Sequence, residues 1–296
     1  MTAIAGFVTT FLFATDVNSM NTDFMTRALA GDESSATRVL SIVIGVLGLQ
    51  AMHDLGHAAS AALNKVKLGL PILLPSLQIG IFGTALRFLD YPKDRKTLFD
   101  VSIAGPLVGL IASLSCALIG LDLTAHASPE MVATFPALPI GFFRSSLLLN
   151  ELVTSFLQPS QETLSSLSTL LPLHPLFVTG LAGLLANAYN FLPVGKLDGG
   201  RVTMALAGRQ AAASIGNIFL FGLAVSLLTS TASPVAFFWS IYVSLFLRSP
   251  DLPPLDDITP VATPEDDAKK DLMWFARLTA LIICVTVSAA TVLPGV

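Results

Sequence analysis

Val39 to Leu63 reads VLSIVIGVLGLQAMHDLGHAASAAL. The stretch is mostly apolar, and a helix needs about 20 such residues to cross the hydrocarbon core of a bilayer. Its second half nevertheless carries His53, Asp54 and His57. On a helix the two histidines lie one turn apart on one face. An acidic residue at the centre of such a helix costs roughly 2.5–3.5 kcal/mol on insertion. Three ionisable groups so close together in an apolar span therefore argue for a metal or an aqueous cavity rather than an incidental structural pair.

The rest of the chain agrees with a membrane setting. Of 296 residues, 53% are hydrophobic and 12% charged, about half the charged share of a soluble domain. Mean hydropathy is +0.74. High hydrophobicity with low net charge excludes a disordered chain. The formal net charge of -4 argues against a nucleic-acid partner. Cys116 and Cys284 lie in apolar runs and read as small buried hydrophobes, not a disulfide framework.

Further apolar segments run from Leu98 to Leu121, Leu170 to Leu192, Ala211 to Leu228, Pro234 to Leu247 and Leu272 to Leu293. Met1 to Ala14 is apolar but short, with neither a basic n-region nor transit-peptide character, and reads as a first helix that is short or trimmed at its leading end. Phe142 to Leu157 carries Arg144, Asn150 and Glu151 and reads as an interfacial or lateral helix. The expectation is an all-α polytopic membrane protein with about seven transmembrane helices. Its parts are 1–38, a short apolar segment and loop; 39–248, the membrane core; 249–271, an acidic Pro-rich loop; and 272–296, a final transmembrane helix. Lys65, Lys67, Arg87, Lys93, Arg95 and Lys96 form one basic loop, and Lys196, Arg201, Arg209, Arg248, Lys269 and Lys270 fall on the same side if the spans alternate, which assigns that side to the cytoplasm or its equivalent. Arg27 and Arg38 fall opposite. There is no internal repeat of the kind secondary transporters show.

Asn190 to Arg201 reads NFLPVGKLDGGR. Asp198 stands just past the end of an apolar span. Catalytic zinc commonly takes three protein ligands and keeps a fourth position for water. His53, His57 and Asp198 make such a set, with Gly199 and Gly200 allowing a tight backbone around the carboxylate. Alone, Leu-Asp-Gly is a common helix-ending turn; the His pair raises it. His126 reads as a solvated loop residue, His174 as a cap at a helix start, and Asn187 as bonding within the bundle.

H-x-x-x-H in one span with N-x-x-P-x-x-x-L-D-G after another resembles the site-2 protease family of intramembrane zinc metalloproteases. Gly80-Ile81-Phe82-Gly83, Ala104-Gly105-Pro106, His174-Pro175-Leu176 and the stretch from Arg248 to Thr259 resemble its plant and cyanobacterial branch, the ethylene-dependent gravitropism-deficient and yellow-green proteins. The resemblance implies His53, His57 and Asp198 as ligands of Zn2+, and Asn190 and Gly83 as substrate-positioning residues. It also implies a small membrane-associated strand region, Gly69 to Arg87, that receives an extended substrate by strand addition. Asp54 stands where the family has Glu, the residue that takes the proton from the attacking water and passes it to the leaving amine. Asp is one methylene shorter.

The expected activity is thus zinc-dependent endoproteolysis of transmembrane or membrane-anchored proteins, with Asp54 catalytic and its shorter side chain a reason for reduced activity. A catalytically impaired pseudoprotease acting as a membrane scaffold or chaperone is the alternative. A metal or proton transporter ranks third, for want of an inverted repeat. The expected partners are a membrane-protein substrate and the lipid bilayer. The branch implies a chloroplast or cyanobacterial-type membrane.

Overall fold

A computed structural model describes residues 2–144, 147–159, 166–229, 234–249, 251, 253–259 and 261. Two helices dominate it. Helix α3, Glu33–Leu63, follows α1, Thr2–Ser19, and α2, Thr22–Leu29. Asp32 caps α3 by accepting a hydrogen bond from the Ser34 amide at 2.9 Å. Helix α4 is Arg95–Ala125, capped by Asp94, whose Oδ1 accepts from the Thr97 amide at 2.7 Å. Pro106 lies inside α4, a placement tolerated in membrane helices because neighbouring groups re-satisfy the freed backbone. Each of these helices is 31 residues long and apolar enough to cross a membrane.

Between them the chain forms an antiparallel hairpin of β1, Ile72–Ser76, and β2, Gly80–Ala85, with a register shift between Leu74 and Pro75. The strand region expected between Gly69 and Arg87 is therefore present. After α4 come α5 (Pro129–Val132), β3 (Ala137–Pro139), α6 (Ile140–Arg144), α7 (Leu147–Leu157), β4 (Leu170–Pro172), α8 (Pro175–Asn190), α9 (Asp198–Ala207), α10 (Arg209–Thr229) and α11 (Pro234–Tyr242). One turn of π-helix, Val243–Leu247, ends the series.

One expectation needs correcting. The segment from Leu170 to Leu192 is not one span. Its first residues form β4, which pairs with β3, and only the 16 residues of α8 are helical. The cause is local: Pro175 occupies the first turn of α8, and His174 caps it by accepting from the Leu176 amide through Nδ1 at 3.1 Å. The β3–β4 sheet, which the sequence reading lacked, uses residues that this later helix start leaves free to pair. As for span number, the described residues contain two helices that meet the length and hydropathy needed to cross a membrane, or three if α1 and α2, bent by 113°, count as one broken span. The expected final helix, from Leu272 to Leu293, lies outside the described residues.

The core forms where these elements cross. Leu74, Ile79 and Phe82 of the hairpin region pack on Tyr189 and Leu192, at and just beyond the end of α8, and on Trp239 and Val243. Val17 of α1 joins Ile42, Val43 and Val46 of α3, together with Ile81 and Val178. Leu121, Phe143, Leu149, Val153 and Phe177 join α4, α6, α7 and α8. Small residues bring backbones close: Gly56 of α3 sits against Ala104 and Gly105 of α4, and Gly180 of α8 against Ala117 and Ser113. These approaches place α3, α4 and α8 side by side, with β2 and the start of α9 closing the same space.

Candidate metal centre

His53 and His57 point from α3 into this space, and both are 1% exposed. Asp198, the first residue of α9, is 3% exposed and meets them there. The two Nε2 atoms are 3.1 Å apart. Asp198 Oδ2 lies 3.3 Å from each of them. Zinc bonds to nitrogen and carboxylate oxygen are about 2.0–2.2 Å, so the edge of a tetrahedral ligand set is about 3.3–3.6 Å. The observed triangle has nearly those sides, and three like-facing acceptors at such distances fit a common cation.

The far sides of the imidazoles agree. His53 Nδ1 faces Asn187 Oδ1 at 2.8 Å, and His57 Nδ1 faces the Val101 carbonyl at 2.8 Å. Both partners are acceptors, so both Nδ1 atoms carry the proton and both Nε2 atoms offer a lone pair to the shared point. Asn187 is itself oriented by donating Nδ2 to the Gly183 carbonyl at 2.8 Å. Gly105 lies so close to His57 that a Cβ there would meet the ring, and Gly109 stands in the same relation to the Asn187 amide. Small residues of α4 thus leave room for the site.

Asp54 is half-buried and turned toward β2. Its Oδ1 accepts from the Thr84 hydroxyl at 2.6 Å and from Gln50 Nε2 at 3.1 Å. Gln50 also donates to Thr84 at 3.1 Å. The carboxylate beside the two histidines is therefore tied to the strand hairpin. Asn190 and Gly83 are brought together. Gly83 has φ +113, a conformation suited to glycine, and a Cβ on it would strike the Asn190 amide. Asn190 is 2% exposed, and among the described residues its Nδ2 has no hydrogen-bond partner.

The loop before α9 is fixed by Gly195, with φ +51 and no space for a Cβ beside the Leu247 carbonyl. The Lys196 amide donates to that same carbonyl at 2.8 Å. The remaining histidines lie elsewhere: His174 caps α8, and His126 is exposed at the end of α4.

The structure thus brings His53, His57 and Asp198 together, ties Asp54 to Thr84 and sets Gly83 against Asn190. Four contributors carried little signal. Val101 acts through its backbone, which no side-chain pattern reveals. Gln50 and Thr84 are ordinary polar residues whose meaning depends on the hairpin folding back. Gly105 sits within the Ala-Gly-Pro resemblance but was not tied to a histidine.

The sequence profile of peptidase family M50 matches residues 41–229, which include the whole histidine motif and Asp198. This chain belongs to peptidase family M50. Among curated relatives of this M50 chain, the "probable zinc metalloprotease EGY1, chloroplastic" of Oryza sativa subsp. japonica is 34% identical over 86% of the chain and 40% of the relative. The Arabidopsis thaliana protein of the same description is 35% identical over 76% of the chain and 39% of the relative. The Arabidopsis "probable zinc metalloprotease EGY2, chloroplastic" is 31% identical over 92% of the chain and 46% of the relative. The M50 chain thus spans less than half the length of these relatives.

Proposed function

We propose that this M50 chain is a zinc-dependent intramembrane endopeptidase acting on transmembrane or membrane-anchored proteins. The observation that carries the reading is the triangle of His53 Nε2, His57 Nε2 and Asp198 Oδ2, with sides of 3.1, 3.3 and 3.3 Å and with each imidazole held by an acceptor at Nδ1. These three residues would hold the zinc. A bound zinc ion polarises a carbonyl oxygen and makes water a competent nucleophile near neutral pH.

The chain's own residues divide the remaining work. Asp54 takes a proton from the attacking water and returns it to the leaving amine. Thr84 and Gln50 fix which carboxylate oxygen is free to do so, since Oδ1 is already engaged. Asn190 offers the buried amide of Nδ2 to a substrate carbonyl. The β1–β2 hairpin supplies a surface on which an unwound substrate can satisfy its backbone groups. The polytopic reading, with the core at 39–248, the acidic stretch at 249–271 and a final helix at 272–296, belongs to this proposal. The chloroplastic relatives support a plastid membrane.

One observation favours a second reading. Asp54 is shorter than Glu and is held by Thr84 at 2.6 Å, so its reach to the water is reduced. A misplacement of about 1 Å can cost on the order of 100-fold in rate. A chain that binds zinc but cleaves poorly, serving as a scaffold or chaperone, is the result if that reach fails.

The test is a matched comparison of wild type, Asp54→Glu and Asp54→Ala, purified in detergent. Zinc content and cleavage of a model transmembrane substrate are both measured. Stoichiometric zinc in all three, with cleavage by wild type and loss in Asp54→Ala, is the expected result. Cleavage only in Asp54→Glu moves the chain to the second reading. Absence of zinc in wild type, or equal zinc in a His53→Ala, His57→Ala variant, refutes the metal centre.

A further inference from the structure

Arg201 is 2% exposed, in a protein where a buried cation needs partners to persist. It has four. Nη1 lies 3.6 Å from Asp198 Oδ1. Nε and Nη2 each lie 2.8 Å from Asp251 Oδ2. Nη2 also donates to the Leu86 carbonyl at 2.5 Å. The guanidinium carbon stands 5.1 Å from the centre of the Phe88 ring. The two oxygens of Asp198 are therefore divided: Oδ2 turns to the imidazoles and Oδ1 to Arg201. A carboxylate held by two faces in this way cannot rotate freely about its last bond.

Asp251 comes from the acidic stretch that follows the π-turn, and this stretch has a second anchorage. The Leu255 amide donates to the Pro92 carbonyl at 2.9 Å, and the Asp256 amide donates to that of Lys93 at 3.0 Å. Arg95 Nε meets Asp257 Oδ1 at 3.0 Å. This second anchorage is at the N-terminus of α4, the helix whose Val101 carbonyl orients His57. One segment thus touches both the element that orients His57 and the residue that faces Asp198.

We propose that Arg201 is a positioning residue for Asp198, and that the acidic stretch, through Asp251, clamps Arg201 in place. The stretch is then a built part of the metal centre rather than a spacer between helices. This proposal rests on the zinc reading above.

The test is a zinc-affinity cycle on the full chain in detergent, by competition with a chromophoric chelator, for wild type, Arg201→Gln, Asp251→Asn and the double variant. Thermal unfolding of each protein without zinc is recorded alongside. Partners that orient a metal ligand are worth about 10–100-fold in affinity. Asp251→Asn is expected to weaken zinc about 10-fold, Arg201→Gln at least as much, and the double variant no more than Arg201→Gln alone. Because Asp251 lies at the rim, with a side chain 17% exposed, its variant keeps the test alive if Arg201→Gln does not fold. Wild-type affinity in Asp251→Asn, or fully additive losses in the double variant, overturns the clamp. A shift in zinc-free unfolding with no change in affinity overturns it too, because it marks a merely structural pair. A wild type that binds no zinc fails at the earlier reading and takes this one with it.

Discussion

Asn187→Leu isolates the support of one histidine. The substitution keeps the approximate volume and removes the acceptor that stands 2.8 Å from His53 Nδ1. His53 is 1% exposed, so water does not replace the lost partner. A buried donor left unsatisfied costs about 1–3 kcal/mol, and every 1.4 kcal/mol is about tenfold in an equilibrium constant. The tautomer that offers Nε2 is no longer enforced, and the loss falls on metal binding. Zinc is therefore expected to bind about 10–100-fold more weakly, the range typical of removing such a partner. Asn187→Asp restores an acceptor at the same place and is expected to hold zinc far better than the Leu variant. The assay is a chelator competition on detergent-purified protein, with zinc-free thermal unfolding as the control for packing. The Gly183 carbonyl loses its Asn187 donor in both variants, so that loss does not separate them. Wild-type affinity in Asn187→Leu, or equal losses in Leu and Asp, refutes the reasoning.

Gly105→Ala places a methyl group against the His57 ring while Val101 still holds the other side of that ring. The ring must shift, and cleavage is expected to fall on the order of 100-fold, measured as turnover of a model substrate beside unchanged helical circular dichroism. Asp94→Ala removes the cap of α4 and is expected to lower stability by about 0.5–2 kcal/mol, read by chemical unfolding in detergent. Burial pushes the Asp94 carboxyl up, but its hydrogen bonds with Thr97 and the nearby Lys93 and Lys96 outweigh this and hold it below its ordinary value. Its contribution is therefore present above the unfolded carboxylate value of about 3.9 and is lost as pH falls through the lower folded value. The gap between wild type and Asp94→Ala should close at the acid end.

The residues that hold the proposed metal were legible in the sequence because an apolar span makes each ionisable group conspicuous. His53, Asp54 and His57 stand out against Val39 to Leu63, and Asp198 was found by its partnership with them. The orienting groups were not legible to the same degree. Asn187 is one polar residue in an apolar run, readable only as a partner within the bundle. Val101 contributes a carbonyl, and Thr84 acquires its role only when β2 returns to α3. The span from Leu170 to Leu192 misled for a related reason. Hydropathy sums residues without asking which are helical, whereas Pro175 sets the start of α8 and the pairing of β4 with β3 is non-local. The acidic stretch read as a connection because its charges face partners distant in sequence, Arg95 and Arg201.

The shortness of α8 bears on how water and lipid meet the protein. At about 1.5 Å per residue, its 16 residues rise about 24 Å, against about 30 Å of hydrocarbon. α3 and α4, nearly twice as long, stand on its flanks. In a bilayer, a hydrophobic mismatch of this kind is relieved by local thinning, by snorkelling of flanking residues or by oligomerisation. β4 and the His174 cap lead directly into the first turn of α8. Asn187 and Asn190 sit at the opposite end of α8, so a bilayer thinned to the length of this helix would bring that end, and the side chains gathered there, nearer to bulk water.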